Sequence, residues 1–296
     1  MGLMGLAGVV VSAAACKGRR GDERSQLDVA LVAADALYAQ RADEEKLREA
    51  QQAYFAMLAD TPDDPEVLWR LSRAYTAFGY GYPDSPADLC GSPGEPDPAL
   101  CYTLALEFAF RCMEANPAWS SRLAINDGHI SKRVAAALGE REVPCVREGV
   151  QAWTRWTELR GPSAALYLES ISWLSKRMGE LNEEDEGARP DWVSDWGVAM
   201  GQALAPEATL PDMAVAEASF EAAIVAEAEL ATPRADRAIH LLAQSDSVAL
   251  DLEIERIRED CPTDDSHPWA LENRRALERL ESVSTAVSTE GADSLR

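Results

Sequence analysis

Residues 50–75 read "AQQAYFAMLADTPDDPEVLWRLSRAY", and the fold turns on how the two halves of this stretch relate. Ala50, Tyr54 and Met57 are four and three apart, the spacing that places side chains on one face of an α-helix. Pro62 stops that helix. Asp64 then stands where it can cap a second one, with Pro65 in the first turn, where a missing N–H breaks no bond. Leu68, Leu71, Ser72 and Tyr75 form the inward stripe of this second helix, and Gly79 ends it. Small residues let two such helices approach closely, while the large ones fill the space between neighbouring pairs. The pattern predicts a helical hairpin.

These spacings resemble the tetratricopeptide repeat, in which a second helix with small, aromatic and small positions follows and a Pro closes the unit. Of the repeat opened at Asp64, only half is in place before Tyr80. Its continuation is "ALEFAFRCMEANP", residues 105–117, in which Ala105, Ala109, Cys112 and Pro117 have the expected spacing. The intervening "YGYPDSPADLCGSPGEPDPALC", residues 80–101, therefore reads as an insertion. Further on, "DMAVAEASFEAAI" repeats the small–aromatic–small pattern with Ala216, Phe220 and Ala223. It is introduced by "TLPD", where Thr209 suits the cap and Asp212 the first turn. Helices are also predicted over 120–138, 143–160, 162–180, 190–204, 232–243, 247–260 and 268–285. Strand-like alternation is missing, and good helix formers dominate. The expected fold is all-α: about twelve helices stacked as hairpins in a solenoid over residues 26–285, with a polar tail at 286–296.

The chain has 296 residues, of which 47% are hydrophobic, and a formal net charge of −23. That composition supports a substantial core, and its acidity sets it against a phosphate backbone, so no nucleic-acid partner is expected. Leu3 to Ala15 is apolar or small throughout, too short to span a bilayer and suited to a secretory signal peptide over 1–15. The run ends in "SAAAC", which resembles a bacterial lipobox with Cys16 as the lipidated residue. Residues 16–25 then read as a polar tether. A lipid anchor there implies membrane attachment facing the periplasm, and Lys17 resembles the sorting signal of outer-membrane lipoproteins.

Export permits disulfides. A Cys90–Cys101 bridge would close the inserted loop and stabilise by roughly 2–3 kcal/mol. Cys112 either fills an inward face or meets Cys145. With Cys261 the count after Cys16 is odd, so at least one thiol is left over or bonds elsewhere.

Catalytic and metal signatures are weak. His129, His240 and His267 are far apart, and no nucleophile elbow or phosphate loop occurs. No metal site, cofactor or enzymatic activity is expected. The acidic run "ELNEEDEGARPD", 180–191, lacks the alternation of a calcium loop. Aromatics offer more: Trp153, Trp156, Tyr167, Trp173, Trp192 and Trp196 are candidates either for the core or for lining a groove.

An exported helical chain with degenerate repeats resembles the T component of tripartite ATP-independent periplasmic (TRAP) transporters. The likeness rests on "SAALYLESISWLSKRMGEL", on "ATLPDMAVAEASFEAAI", and on the ending "DSVALDLEIERIREDCPTDDSHPWALENRRALERLESV" with its Leu271 and Asn273. The resemblance implies a lipid-anchored scaffold that forms a trimer, binds the periplasmic solute-binding protein of such a system, and offers a channel to an apolar ligand. Two other readings stand beside it. One is a general repeat lipoprotein scaffolding an envelope complex. The other is an enzyme on a helical toroid with Glu107 or Glu169 as acid and base.

Overall fold

A computed structural model describes residues 13–84, 90, 97–184, 191–205, 212–242 and 247–293. Among these the fold is all-α, with no strand. The helices are α1 (Ala13–Tyr38), α2 (Glu44–Asp60), α3 (Pro65–Gly81), α4 (Pro98–Glu114), α5 (Pro117–Ile125), the single turn α6 (Lys132–Ala135), α7 (Val143–Arg160), α8 (Leu168–Glu184), α9 (Trp192–Ala203), α10 (Met213–Ala226), α11 (Ala231–Arg237), α12 (Ser247–Asp260) and α13 (Ala270–Asp293). No described helix is long and apolar enough to cross a membrane.

The hairpin of residues 50–75 is α2 and α3. Asp64 accepts from the Glu66 N–H at 2.9 Å, with Pro65 in the first turn. Ala50, Tyr54, Leu68 and Leu71 are wholly buried, and Tyr75 nearly so. Helix α4 packs along α3, and there Ala105 and Ala109 are also fully buried. Gly79 lets the pair approach, since a Cβ on it would lie 3.0 Å from the Tyr102 ring. Ala216, Phe220 and Ala223 are buried where α10 meets α9.

The helices pack in a row, α1 on α2, α2 on α3 and α3 on α4; α4 then skips the short α5 and α6 to pack on α7, and α7 on α8, α8 on α9 and α9 on α10 continue it. Helix α7 also touches α3 and α9, so it is enclosed on several sides. Helices α11, α12 and α13 carry a second small core that includes Leu250, Ile257, Ala276 and Leu280.

The ends of the row are brought together. Helix α13 returns to α3, and Leu271 sits where a Cβ on Gly81 would be, at 2.7 Å. Arg41, after α1, forms a two-pronged pair with Glu272 at 2.8 and 3.0 Å and donates to the Pro268 carbonyl. Asn273, fully buried, accepts from the Ala231 N–H and donates to the carbonyls of Glu229 and Pro262. It ties the starts of α11 and α13 to the end of α12. Leu271 and Asn273 thus act as the clasp of this closure.

Several local expectations change. The helix expected over 120–138 is split by a turn in which Asp127 and Gly128 take positive φ, 51° and 78°. Residues 161–167 form a 3-10 stretch ahead of α8. Helix α3 continues past Gly79 to Gly81, and Asp212 itself caps α10, accepting from the Val215 N–H. Residues 238–242 form a π-helical turn after α11. Residues 16–25, expected as a tether, belong to α1, and α13 runs on to Asp293 through most of the expected tail. Residues 1–12 of the expected signal peptide, Thr209, the Cys16 side chain, half of the inserted loop and half of the acidic run lie outside the described residues.

Two cysteine pairs lie at disulfide distance. Cys90 meets Cys101, with Cα atoms 5.0 Å apart, and Cys112 meets Cys145 across α4 and α7 at 5.7 Å. Cys261 is free and buried.

Candidate functional site

Where the row closes, α1, α3, α7, α9, α11 and the start of α13 surround a cavity of about 510 Å³. Its wall is a ribbon of aromatic rings alternating with guanidinium groups. Trp196 lies 5.7 Å from Trp192, and Trp192 lies 6.5 Å from Trp269. Arg41 covers Trp269 and Tyr38 at 5.6 and 5.0 Å. Arg73 follows, 3.9 Å from the Tyr38 ring and 4.8 Å from Trp69. A flat, weakly hydrated guanidinium stacks well on such faces.

The charges are placed by helix periodicity. Arg147, Glu148, Gln151 and Arg155 share one face of α7 and line the cavity, while Val146, Val150 and Trp153 are buried on its other sides. Arg147 donates through Nε to Asp191 at 2.8 Å, and Asp191 in turn caps α9 by accepting from the Val193 N–H. That capped start holds Trp192 and Trp196 at the wall. Arg73 donates through Nη2 to Asp35 at 2.9 Å.

Behind the wall lies a second group of charges. Asp236 is fully buried, yet it accepts from Arg155 at 3.0 and 2.6 Å, from Arg279 at 2.8 Å and from the Trp196 indole N–H at 2.8 Å. Burial would raise its pKa, but the two guanidinium groups outweigh this and hold it below the usual carboxylate range. Glu158 is depressed for the same reason: burial opposes ionisation, and Arg155 and Arg279 prevail. His240 Nε2 is 3.3 Å from Glu158. Glu158, Asp236 and His240 bring possible metal-ligand atoms within 4.8 Å of one another. Both carboxylates already accept from arginine, so the cluster is a charge network joining α7, α9, α11 and α13.

Glu148 is different. Only 5% of it is exposed, and no described residue offers it a hydrogen bond or an ion pair. Burial pushes its carboxyl up to about 7, despite the opposing fields of Arg73, Arg147 and Arg41; Asp191 adds to the rise.

Of the aromatics singled out in the sequence, Trp192 and Trp196 line the cavity. Trp153, Trp156 and Tyr167 pack on one another and on Phe110 away from it, and Trp173 stands beside Lys132 and Lys176. Sequence reasoning missed Trp69, Trp269, Tyr38 and the arginine–carboxylate pairs. Glu107 and Glu169, the carboxylates named for an enzymatic reading, are both exposed and outside the cavity. Neither a scan against protein-family models nor a search of curated proteins finds a match to this chain.

Proposed function

We propose that the chain is a non-enzymatic helical scaffold of the bacterial envelope that takes a small ligand in its central cavity and docks a periplasmic solute-binding protein, as the T component of a TRAP system does. The observation that carries the ligand part is the aromatic–guanidinium wall around about 510 Å³, a volume suited to a small organic molecule. Its arginines are oriented by fixed carboxylates, which makes a rigid recognition surface. The two cysteine pairs at disulfide distance favour an oxidising compartment. Anchoring through Cys16 to the outer membrane, and assembly as a trimer, belong to the same proposal by resemblance.

The test is a pull-down with the full chain from its own envelope extract, with mass spectrometry of what is retained. A solute-binding protein is the expected product. Retention of envelope-assembly proteins alone would overturn the transport reading and make the chain a general scaffold.

A further inference from the structure

Among the described residues the cavity wall carries one unpartnered carboxyl, unpartnered neutral groups such as the Tyr80 hydroxyl, and several unspent guanidinium donors, and the charged groups define a ligand. Glu148 is nine-tenths buried, lines the cavity and has no hydrogen-bond partner among the described residues. A buried carboxyl left this way is costly, so it calls for a donor from outside the protein. Across the same space Arg73 uses Nη2 for Asp35 and Tyr54, and Arg147 uses Nε and Nη2 for Asp191. Arg73 Nε is buried without a partner, and neither guanidinium spends its Nη1 on a described residue, the Arg147 side chain being 45% exposed. Both arginines act on Glu148 through their field, yet neither forms an ion pair with it.

A ligand with an acid group alone would use the free guanidinium donors but would set a further carboxylate beside Glu148, Asp35 and Glu272. An amine alone would satisfy Glu148 but would add a cation among Arg41, Arg73 and Arg147. A molecule carrying both groups meets both demands, and the flanking faces of Trp69, Trp192 and Trp269 suit an apolar body.

We infer that the cavity binds a zwitterionic organic ligand, its ammonium on Glu148 and its acid group on the Nη1 side of Arg73 and Arg147, with an apolar or aromatic body against the tryptophans. This rests on the cavity being a ligand site, as proposed above, and it names the class of ligand.

Four probes built on one phenethyl body separate the possibilities: L-phenylalanine, N-acetyl-L-phenylalanine, phenethylamine and phenethyl alcohol. Each is titrated into the full chain by calorimetry, with the lining tryptophans as a fluorescence readout. Phenylalanine is expected to bind tightest, by about ten- to a hundredfold over each singly charged probe. Glu148→Gln should reduce phenylalanine to the level of the N-acetyl compound. Arg73→Gln should reduce it towards phenethylamine, because Asp35 keeps Arg70 as a partner and the fold is spared. Equal binding of the N-acetyl compound, or of phenethylamine, would overturn the inference in favour of a site reading one charge. Equal binding of phenethyl alcohol would overturn it while leaving an apolar ligand cavity. Binding of none of the four would remove the ligand role along with it; the docking of a solute-binding protein is judged separately by the pull-down.

Discussion

Asp236 and Glu148 are both carboxylates buried against α7, and they have opposite surroundings. Asp236 receives four donated hydrogen bonds from three side chains and is held ionised. Glu148 receives none from the described residues, and its carboxyl is pushed up to about 7. Burial is nearly equal, so desolvation does not separate the two. The partners do. A satisfied buried charge joins helices, whereas an unsatisfied one costs stability and leaves a group free to recognise something else.

The largest expected effect breaks the satisfied side. Asp236→Ala removes the counter-charge shared by Arg155 and Arg279 and orphans the Trp196 indole N–H. A loss of about 3–5 kcal/mol is expected in denaturant unfolding. Loss below about 1 kcal/mol would mean that Glu158 alone keeps the two guanidinium groups satisfied.

Glu148→Gln should act in the opposite direction. The wild-type carboxyl has its folded pKa raised from 4.5 to about 7, so the sign is fixed. Below pH 4.5 it is protonated in both states and carries no penalty. From 4.5 to about 7 the unfolded chain releases the proton while the folded chain keeps it, so stability falls through that window. Above it the penalty is complete. Glutamine, unable to ionise, should therefore stabilise the protein by about 2–3 kcal/mol at pH 8 and by almost nothing at pH 4. Equal effects at both values would show that water solvates Glu148, and a loss of stability confined to pH 8 would show that it has a counter-ion. A gain in stability coupled to loss of ligand is the signature of a recognition residue.

The fold was legible because its signal is local. Ala50, Tyr54, Leu68, Leu71, Ala105 and Ala109 are all buried, and helix periodicity alone places such residues on one face. The same locality accounts for what stayed hidden. Arg147, Glu148, Gln151 and Arg155 have the spacing of a solvated helix face, and a face turned to an internal cavity has that spacing too. Only the return of α13 to α3 and to the end of α1, through contacts about two hundred residues apart in sequence such as Gly81–Leu271 and Arg41–Glu272, turns this face inward. Trp192 and Trp196 could be nominated as lining because tryptophans four apart are conspicuous. Trp69 sits in the repeat itself and reads as packing. Trp269 lies just ahead of α13, where no periodicity marks it.

The smallest expected effect concerns Glu107 and Glu169. Both lie in largely apolar stretches, which made them candidates for raised carboxyls in an enzymatic reading. In three dimensions each is exposed, and Glu169 accepts from the Trp173 indole N–H at 3.3 Å in water's reach. A side chain at the surface keeps its contact with water, which the buried Glu148 largely gives up. Glu107→Gln and Glu169→Gln should each change unfolding stability by less than about 0.5 kcal/mol at pH 8, well below the gain expected from Glu148→Gln. The comparison is sharpest with all three variants in one pH series. If Glu169→Gln reproduced the Glu148→Gln profile, charge removal from a chain of net charge −23 would account for both gains by relieving general repulsion. If only Glu148→Gln rises with pH, the effect belongs to one unpartnered carboxyl at the cavity wall, and the ligand is the partner that it lacks.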